Sequence, residues 1–268
     1  MAFPFIAGGA KFEGTTGIST FNDGSSILAG RFQDTVSFGG TNLTSTGDHN
    51  EDFIAKLDNN GNYLWVKQFT ATQYIALRAL NTLSDGSSIV SGSFKGTASF
   101  GATNLTNAGD HYEGYIAKLD SNGNNLWVKH VTGTQYIYPT DVSNLSDGSS
   151  IISGYFRGTA SFGATNLTSA GDYDSFVAKL DSNGNYLWAK RFGGTEDVYT
   201  HNISTFSDGS FIVGGRFEGT ANFGGITLTE VGSTSNGFTA KFDSDGNNVW
   251  ATPFRGSWAW VPLSLIHI

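Results

Sequence analysis

Two features of this sequence could support chemistry: carboxylates interspersed with aromatic residues, and acidic turns of the form Asp-x-Asn-Gly-Asn. Two carboxyl groups act as acid and base on a glycosidic bond when they lie about 5–5.5 Å or about 6.5–9.5 Å apart. The acidic turns match the first positions of a calcium loop, which needs further oxygen ligands. The chain contains no Cys, which excludes disulfides, thiolate nucleophiles and Cys-ligated metals.

The acidic turn recurs four times, and its best calcium candidate is the last copy, with Asp243 and Asp245. A calcium loop has a Glu at its twelfth position, where the four copies carry Thr70, Thr132, Gly193 and Arg255. A hairpin turn stabilised by an Asp side chain explains the same pattern. The sequence therefore predicts no cofactor, and calcium at Asp243 and Asp245 remains the alternative.

Composition excludes several classes of protein. The 268 residues carry a formal net charge of −8, with 38% hydrophobic and 14% aromatic residues. A nucleic-acid-binding protein needs a basic face, so we expect no nucleic-acid partner. No apolar run approaches the roughly 20 residues of a membrane-spanning helix.

An internal repeat of about 62 residues runs through the chain. Asp-Gly-Ser begins at four regularly spaced positions: Asp23, Asp85, Asp147 and Asp208. A Trp recurs with the same spacing, at Trp65, Trp127, Trp188 and Trp250. A fixed period of this length is typical of propellers, solenoids and other repeat arrays.

Each repeat contains four short segments rich in β-branched and aromatic residues and no helical periodicity. In the third repeat the pattern predicts strand a near 136–145, strand b near 149–157, strand c near 175–181 and strand d near 186–192. Asp-Gly-Ser forms the a–b turn, and Asn-Gly or Asp-Gly forms the c–d turn with positive φ at both central positions. A longer Gly-rich connection joins strands b and c.

The fold class is therefore all-β, with four β-propeller-type blades that form an open fragment of a larger propeller; a β-solenoid is the competing array. The array covers 1–262, and its predicted parts are a strand d remnant at 1–9, blades at about 10–69, 70–131, 132–192 and 193–256, and the start of another blade at 257–262. Residues 263–268 break the repeat and resemble the translated end of a transposase sequencing adapter. We expect a non-native tail on a truncated reading frame.

The c–d turn also predicts which residues face each other across strands c and d. If Asn60 and Gly61 form a two-residue turn, Lys56 pairs with Trp65. The same rule gives the other three pairs: Lys118 with Trp127, Lys179 with Trp188, and Lys241 with Trp250. We expect a cation–π contact in each pair.

The motif resembles the bacterial β-propeller repeat family, which often occurs in secreted and surface proteins. The residues that carry the resemblance in the third repeat are Gly171, the segment from Asp174 to Trp188, Gly193-Gly194, Asp208-Gly209 and the segment from Ile212 to Gly215. The resemblance covers about 1–262 and implies a secreted or cell-surface location. It brings no catalytic residues.

In this strand order, the d–a and b–c connections share one end of every sheet, and function favours variable loops on a rigid scaffold. The predicted binding residues at that end are Tyr74, Asp110, His111, Tyr112, Tyr136, Tyr138, Asp172, Tyr173, Glu196, Asp197 and Tyr199. Packing of these Tyr residues between blades is the structural alternative.

We expect a noncatalytic recognition or scaffold module that binds a protein or a glycan through these loops. One alternative is a propeller enzyme acting on polysaccharide, with Asp110, Asp172 or Asp197 as acid and base. Another is a structural repeat that self-associates through exposed strand edges.

Overall fold

A computed structural model describes residues 7–8, 12–232 and 235–254. The chain divides into two compact units, one up to His130 and one from Val131 onwards. Most of the predicted strand d remnant at 1–9, the predicted start of another blade at 257–262 and the expected non-native tail at 263–268 lie outside the described residues.

Unit 1 consists of β-strands. In chain order they are β1 (Ala7–Gly8), β2 (Phe12–Thr20), β3 (Ser26–Gln33), β4 (Thr35–Phe38), β5 (Thr41–Thr44), β6 (Glu51–Leu57), β7 (Tyr63–Ala71), β8 (Tyr74–Thr82), β9 (Ser88–Lys95), β10 (Thr97–Phe100), β11 (Thr103–Thr106), β12 (Glu113–Leu119) and β13 (Asn125–Gly133). The division between the units falls within β13.

Unit 2 repeats the same order of strands. They are β14 (Ile137–Asn144), β15 (Ser150–Phe156), β16 (Thr159–Phe162), β17 (Thr165–Thr168), β18 (Asp174–Leu180), β19 (Tyr186–Gly194), β20 (Val198–Thr205), β21 (Phe211–Phe217), β22 (Thr220–Asn222), β23 (Thr227–Thr229), β24 (Asn236–Phe242) and β25 (Asn248–Phe254). The described residues contain no helix.

Strands a to d of each repeat form an antiparallel sheet in chain order. Sheet 1 contains β2, β3, β6 and β7, and sheet 2 contains β8, β9, β12 and β13. Sheet 3 contains β14, β15, β18 and β19, and sheet 4 contains β20, β21, β24 and β25. The predicted all-β fold of four-stranded, propeller-type repeats is confirmed.

The sequence analysis missed a second hairpin in each repeat. The b–c connection folds into β4–β5, β10–β11, β16–β17 and β22–β23. Each hairpin pairs with the strand that ends the preceding repeat, as in the pair Ser99 with Thr70. Positive φ angles at Gly39 and Gly40 close the first of these hairpins, because glycine adopts this backbone region without a Cβ clash. The connection predicted as a loop is therefore largely strand.

The c–d turn differs from the prediction, although the predicted register is correct. In the c–d turn of the first repeat, Gly61 has a positive φ and Asn60 does not, and the amide of Gly61 donates to the carbonyl of Asp58. The turn is thus one residue longer than expected, which is typical of a type I turn followed by a glycine bulge. A second irregularity beside Leu57 restores the pairing of Lys56 with Trp65.

The same pairing is confirmed in two other repeats, for Lys179 with Trp188 and for Lys241 with Trp250. The expected cation–π contacts are wrong at Lys56 and Lys241. The Lys56 ammonium lies over the ring of Phe21, 4.4 Å from its centroid, and the Lys241 ammonium lies 4.7 Å from the centroid of Phe206.

The lysines therefore support the a–b turn of their own sheet. The Lys118 ammonium lies 3.7 Å from Oδ2 of Asp85 in this turn, and the charge of Lys179 contributes to a lowered pKa of Asp147 after the hydrogen bonds from Ser149. The Trp side chains make a different contact. Nε1 of Trp65 donates to the carbonyl of Ser121 in the next c–d turn, where the backbone of Gly123 lies against the indole ring.

The core of each unit contains inward side chains of all four strands and of the b–c hairpins, with strands b and c contributing many of them. Large buried rings include Phe53, Tyr115, Phe176 and Phe238, which occupy one repeat position. Each ring lies beside a strand b glycine; a Cβ on Gly154 would come within 2.3 Å of the Tyr138 carbonyl oxygen. These glycines allow strands a, b and c to pack closely, which fixes the residues at the loop end of the sheets.

Candidate functional site

The candidate site of unit 2 lies where strands a and b of sheets 3 and 4 meet the b–c and d–a connections. Tyr138 pairs with Tyr155 across strands a and b of sheet 3. Tyr199 pairs with Arg216 at the equivalent register of sheet 4. In each sheet one further pair separates these residues from a bulge in strand a, at Thr140 and His201. A bulge redirects side chains at the end of a sheet.

Five tyrosines form a continuous set of ring contacts, which we call the tyrosine cluster: Tyr136, Tyr138, Tyr155, Tyr173 and Tyr199. The ring centroids of Tyr155 and Tyr199 are 4.8 Å apart and those of Tyr155 and Tyr173 are 5.7 Å apart, both edge to face. All five residues are half-buried. The cluster therefore packs between strands of two sheets and still presents part of its rings to solvent.

Asp197 links the tyrosine cluster to the loops through two hydrogen bonds. Its Oδ2 accepts a hydrogen bond of 2.6 Å from the Tyr199 hydroxyl, and its Oδ1 accepts one of 3.0 Å from the Tyr173 amide. Burial and the hydrogen bond to Asp197 raise the pKa of the Tyr199 hydroxyl. The Tyr199 phenol therefore stays neutral and donating at physiological pH.

Further charged groups surround the cluster. Nη2 of Arg157 lies 3.1 Å from Oδ1 of Asp172, and both side chains are substantially exposed. Glu196 and Glu218 are exposed. The structure thus brings the predicted residues Tyr136, Tyr138, Asp172, Tyr173, Glu196, Asp197 and Tyr199 to one end of unit 2.

Arg216 adds a cation that the sequence analysis did not identify. Its guanidinium carbon lies 4.5 Å from the centroid of the Tyr199 ring, within the range of a cation–π contact. The buried Nε of Arg216 has no hydrogen-bond partner. Burial and the Arg216 charge lower the pKa of the nearby His201, so this imidazole is neutral at pH 7.

Unit 1 carries no tyrosine at the register of the tyrosine pairs. Ala76 pairs with Ser93 in sheet 2, and both are buried. In sheet 1, Gly14 pairs with Arg31. The predicted residues Tyr74 and Tyr112 do meet, with ring centroids 4.8 Å apart, and the guanidinium carbon of Arg31 lies 5.7 Å from the centroid of the Tyr74 ring.

Arg31 has a carboxylate partner that the sequence analysis also missed. Asp52 is its cross-strand neighbour, and Nε of Arg31 lies 3.3 Å from Oδ1 of Asp52. The Leu77 amide donates to Oδ2 of the same carboxylate. Burial raises the pKa of Asp52 to about 7, against the opposing effects of Arg31 and the Leu77 amide.

The remaining predicted residues of unit 1 are engaged within the loops. Asp110 forms an ion pair with Lys95. His111 Nε2 lies 3.6 Å from Glu113 Oε1, and His130 Nε2 lies 2.6 Å from Glu113 Oε2. These contacts connect the b–c loop to strands c and d and therefore stabilise the scaffold.

The contact between Glu113 and His130 has counterparts in two other repeats. Glu51 receives a hydrogen bond from Gln68 in the first repeat, and Asp174 receives one of 2.5 Å from Arg191 in the third. In each case a buried carboxylate at the start of strand c joins strand d. Carboxylates at this position are therefore part of the scaffold.

The candidate calcium turn is held by its own hydrogen bonds. Oδ1 of Asp243 accepts from the amides of Asp245 and Asn247 at 3.0 and 2.8 Å, and Oδ2 accepts from the Asn247 side chain. Among the described residues, no group of three or more His, Asp or Glu side chains is arranged to hold a metal ion. Calcium binding at Asp243 and Asp245 stays a prediction.

The residues missed from sequence share one property. Tyr155 and Arg216 lie in strand b and Asp52 in strand c, whereas the prediction drew its candidates from loops and loop ends. A comparison of the repeats could have identified these residues, because each departs from its counterparts. Tyr155 has Ser93 as its counterpart in the second repeat, and Asp52 has Gly237 as its counterpart in the fourth.

The fold and the repeat register define an all-β tandem repeat of the β-propeller type. No protein-family model matches the chain. Over 131 residues the chain is 31% identical to an uncharacterized WD repeat-containing protein of Acanthamoeba polyphaga mimivirus. The match covers 45% of this chain but only 8% of that relative. WD repeats form propeller blades, so this viral relative supports a propeller-type repeat in general, and the bacterial family stays a prediction.

A search of the described residues for a helix long and apolar enough to cross a membrane found none.

Proposed function

We propose that this chain is a noncatalytic recognition module that binds its ligand through the tyrosine cluster of unit 2. A propeller-type repeat supports an interaction or scaffold module in general. The observation that carries the finer proposal is the cluster itself, with five half-buried rings beside Asp197 at the loop end of sheets 3 and 4. Tyr combines a flat apolar face with a polar tip and is common in binding surfaces.

A glycan fits this arrangement better than an extended protein surface. The faces of tyrosine rings suit the apolar faces of sugar rings, and carboxylate oxygens accept hydrogen bonds from hydroxyl groups. Asp172 and Glu196 supply such oxygens beside the rings. The proposal includes the secreted or cell-surface location that the family resemblance implies.

The test is a glycan array, followed by calorimetric titration of any glycan that binds. The informative variant combines Tyr138→Ala with Tyr155→Ser, because Ala76 and Ser93 occupy this register in sheet 2. The backbone of the repeat therefore already accommodates both residues. We expect the variant to remain folded and to bind about tenfold or more weakly, equivalent to about 1.4 kcal/mol.

The matched control replaces Tyr74, which lies in the aromatic pair of unit 1, with Ala. Tyr74→Ala should leave the affinity unchanged. Unchanged affinity in the double variant, or a loss only in Tyr74→Ala, contradicts the proposal. An array without any glycan bound contradicts the glycan assignment.

Self-association through strand edges stays a separate prediction. The outer strand β25 of sheet 4 exposes Val249, Trp250 and Phe254, but no contact of this edge identifies a partner.

A further inference from the structure

Arg31 and Arg216 occupy the same register position on strand b and differ in their cross-strand neighbour. Arg31 faces Asp52 on strand c, and the two side chains form an ion pair. Arg216 faces Gly237 at the equivalent position. Unit 1 therefore supplies a carboxylate to this arginine position, whereas strand c of sheet 4 supplies no side chain.

Within the described part of the chain, Arg216 has no carboxylate within ion-pair distance. Its guanidinium contacts the face of the Tyr199 ring, and its buried Nε lacks a hydrogen-bond partner. A guanidinium has five N–H donors and binds a carboxylate with two parallel hydrogen bonds. A half-buried arginine without an anion therefore retains most of its capacity to bind one.

We propose that Arg216, together with the tyrosine cluster, binds an acidic sugar, with the carboxylate of a uronic acid on the guanidinium and its ring against the tyrosines. This inference rests on the proposed function and names its ligand class. The Arg216 guanidinium carbon lies 4.5 Å from the centroid of the Tyr199 ring, and Tyr155 and Tyr173 belong to the same set of ring contacts. The arginine and the aromatic surface are thus available to one ligand.

The surrounding charges restrict how acidic the ligand is. Asp172 is paired with Arg157, but the exposed Glu196 directly precedes Asp197, and the amide of the exposed Glu218 donates to the Asp197 carbonyl. Like charges at a binding surface repel a wrong partner. The ligand therefore carries one carboxylate at Arg216 and neutral sugars on either side, which disfavours a polyuronate or an acidic peptide.

The experiment titrates the full chain with methyl glucuronide and methyl glucoside, which differ in the carboxylate, and follows the tyrosine ring resonances by NMR. We expect methyl glucuronide to bind with a dissociation constant on the order of 1 mM. Methyl glucoside should bind about tenfold or more weakly. N-acetylglutamate amide, which carries the carboxylate without the sugar ring, should also bind about tenfold or more weakly.

Two variants test the arginine directly. Arg216→Gln removes the guanidinium, and Gly237→Asp supplies the cross-strand carboxylate that Asp52 provides in unit 1. Both should reduce the preference for glucuronide over glucoside to less than about twofold. Asp245→Asn is the control, because it removes one charge at the opposite, tight-turn end of sheet 4 and restores the Asn found at 60, 122 and 183; it should change nothing.

Each contrary outcome has a distinct meaning. If a neutral glycan binds the tyrosine cluster while glucuronide has no advantage, the proposed function stands and the acidic-sugar inference is overturned. If N-acetylglutamate amide binds as well as glucuronide, the ligand is an acidic peptide and the inference is again wrong. If no saccharide binds and the array is also negative, the glycan assignment of the proposed function fails, and the acidic-sugar inference fails with it.

Discussion

The two units place the same backbone register at the loop end of their sheets but use it differently. Unit 1 has the buried pair Ala76 and Ser93 in sheet 2, and in sheet 1 its arginine is neutralised by Asp52. Unit 2 has tyrosines at these positions, and its arginine lies on a ring without a carboxylate. In unit 1 the arginine at this register has a carboxylate at ion-pair distance, and in unit 2 the corresponding arginine has none among the described residues.

This difference shows why a repeat with nearly identical turns can still carry one site. The turn residues and core rings fix the backbone of every sheet, so substitutions in strands a and b change the site without changing the fold.

The largest effect is expected for Arg31→Gln. At pH 8, Asp52 is ionised because its pKa is about 7, and removal of its buried partner should lower the free energy of unfolding by about 3 kcal/mol. At pH 5 the protonated Asp52 needs no counter-ion, so the loss should be smaller. Urea denaturation at the two pH values measures both; an equal loss at pH 5 and pH 8 contradicts the assignment.

The second prediction concerns Asp141, which follows the strand a bulge of sheet 3. Burial raises its pKa to about 6, although the amides of Ile203 and Val142 oppose this effect. Because the folded pKa lies above the unfolded value, this group's contribution to stability is complete below about pH 4 and is lost as the pH rises through 6. Asp141→Asn should remove that decline and leave the protein about 1–3 kcal/mol more stable than the wild type at pH 7.

Asn is a suitable replacement because Asn202 occupies the equivalent position of sheet 4. Thermal unfolding followed from pH 4 to pH 8 compares the two profiles. If Asp141→Asn keeps the wild-type decline in stability, another group is responsible.

The third prediction concerns the core ring of strand c, which is Tyr115 in sheet 2 and Phe176 in sheet 3. The buried Tyr115 hydroxyl has no hydrogen-bond partner, and an unsatisfied buried hydroxyl costs about 1–3 kcal/mol. Tyr115→Phe should therefore stabilise the protein by about 1 kcal/mol. The reverse change, Phe176→Tyr, should destabilise it by about the same amount or more, as measured by chemical denaturation; a loss of stability in Tyr115→Phe would show that the hydroxyl has a partner.

The smallest effect on stability is expected for Arg216→Gln, the counterpart of Arg31→Gln. Arg216 has no ion pair among the described residues, and its contact with Tyr199 is worth about 0.5–1 kcal/mol. The free energy of unfolding should fall by less than about 1 kcal/mol at both pH values. A loss as large as that of Arg31→Gln would mean that the two arginines are equivalent and would remove the basis of the comparison.

Much of the fold could be predicted from the repeat. Strand a of the third repeat was expected near 136–145 and is Ile137–Asn144; strand d was expected near 186–192 and is Tyr186–Gly194. Period-two patterns and turn residues specify a strand and its adjacent partner. They do not specify contacts with the next repeat, so the hairpins that extend the sheets were missed.

The site was predicted less completely for a related reason. Loop position and residue type identified Tyr136, Tyr173 and Asp197, which the fold brings together. In the sequence, Tyr155 and Arg216 have the pattern of ordinary strand residues. Only the strand register shows that they lie opposite Tyr138 and Tyr199. Lys56 and Lys241 were assigned to the wrong aromatic partner because pairing across two strands does not determine where a long side chain ends.

The central claim is that unit 2, rather than unit 1, carries the recognition surface. The most direct measurement is an NMR titration of the full chain with methyl glucuronide, with separate assignments for the rings of Tyr155, Tyr199, Tyr74 and Tyr112. The account predicts saturable shifts of Tyr155 and Tyr199 and unchanged signals from Tyr74 and Tyr112. Shifts confined to Tyr74 and Tyr112 would contradict it.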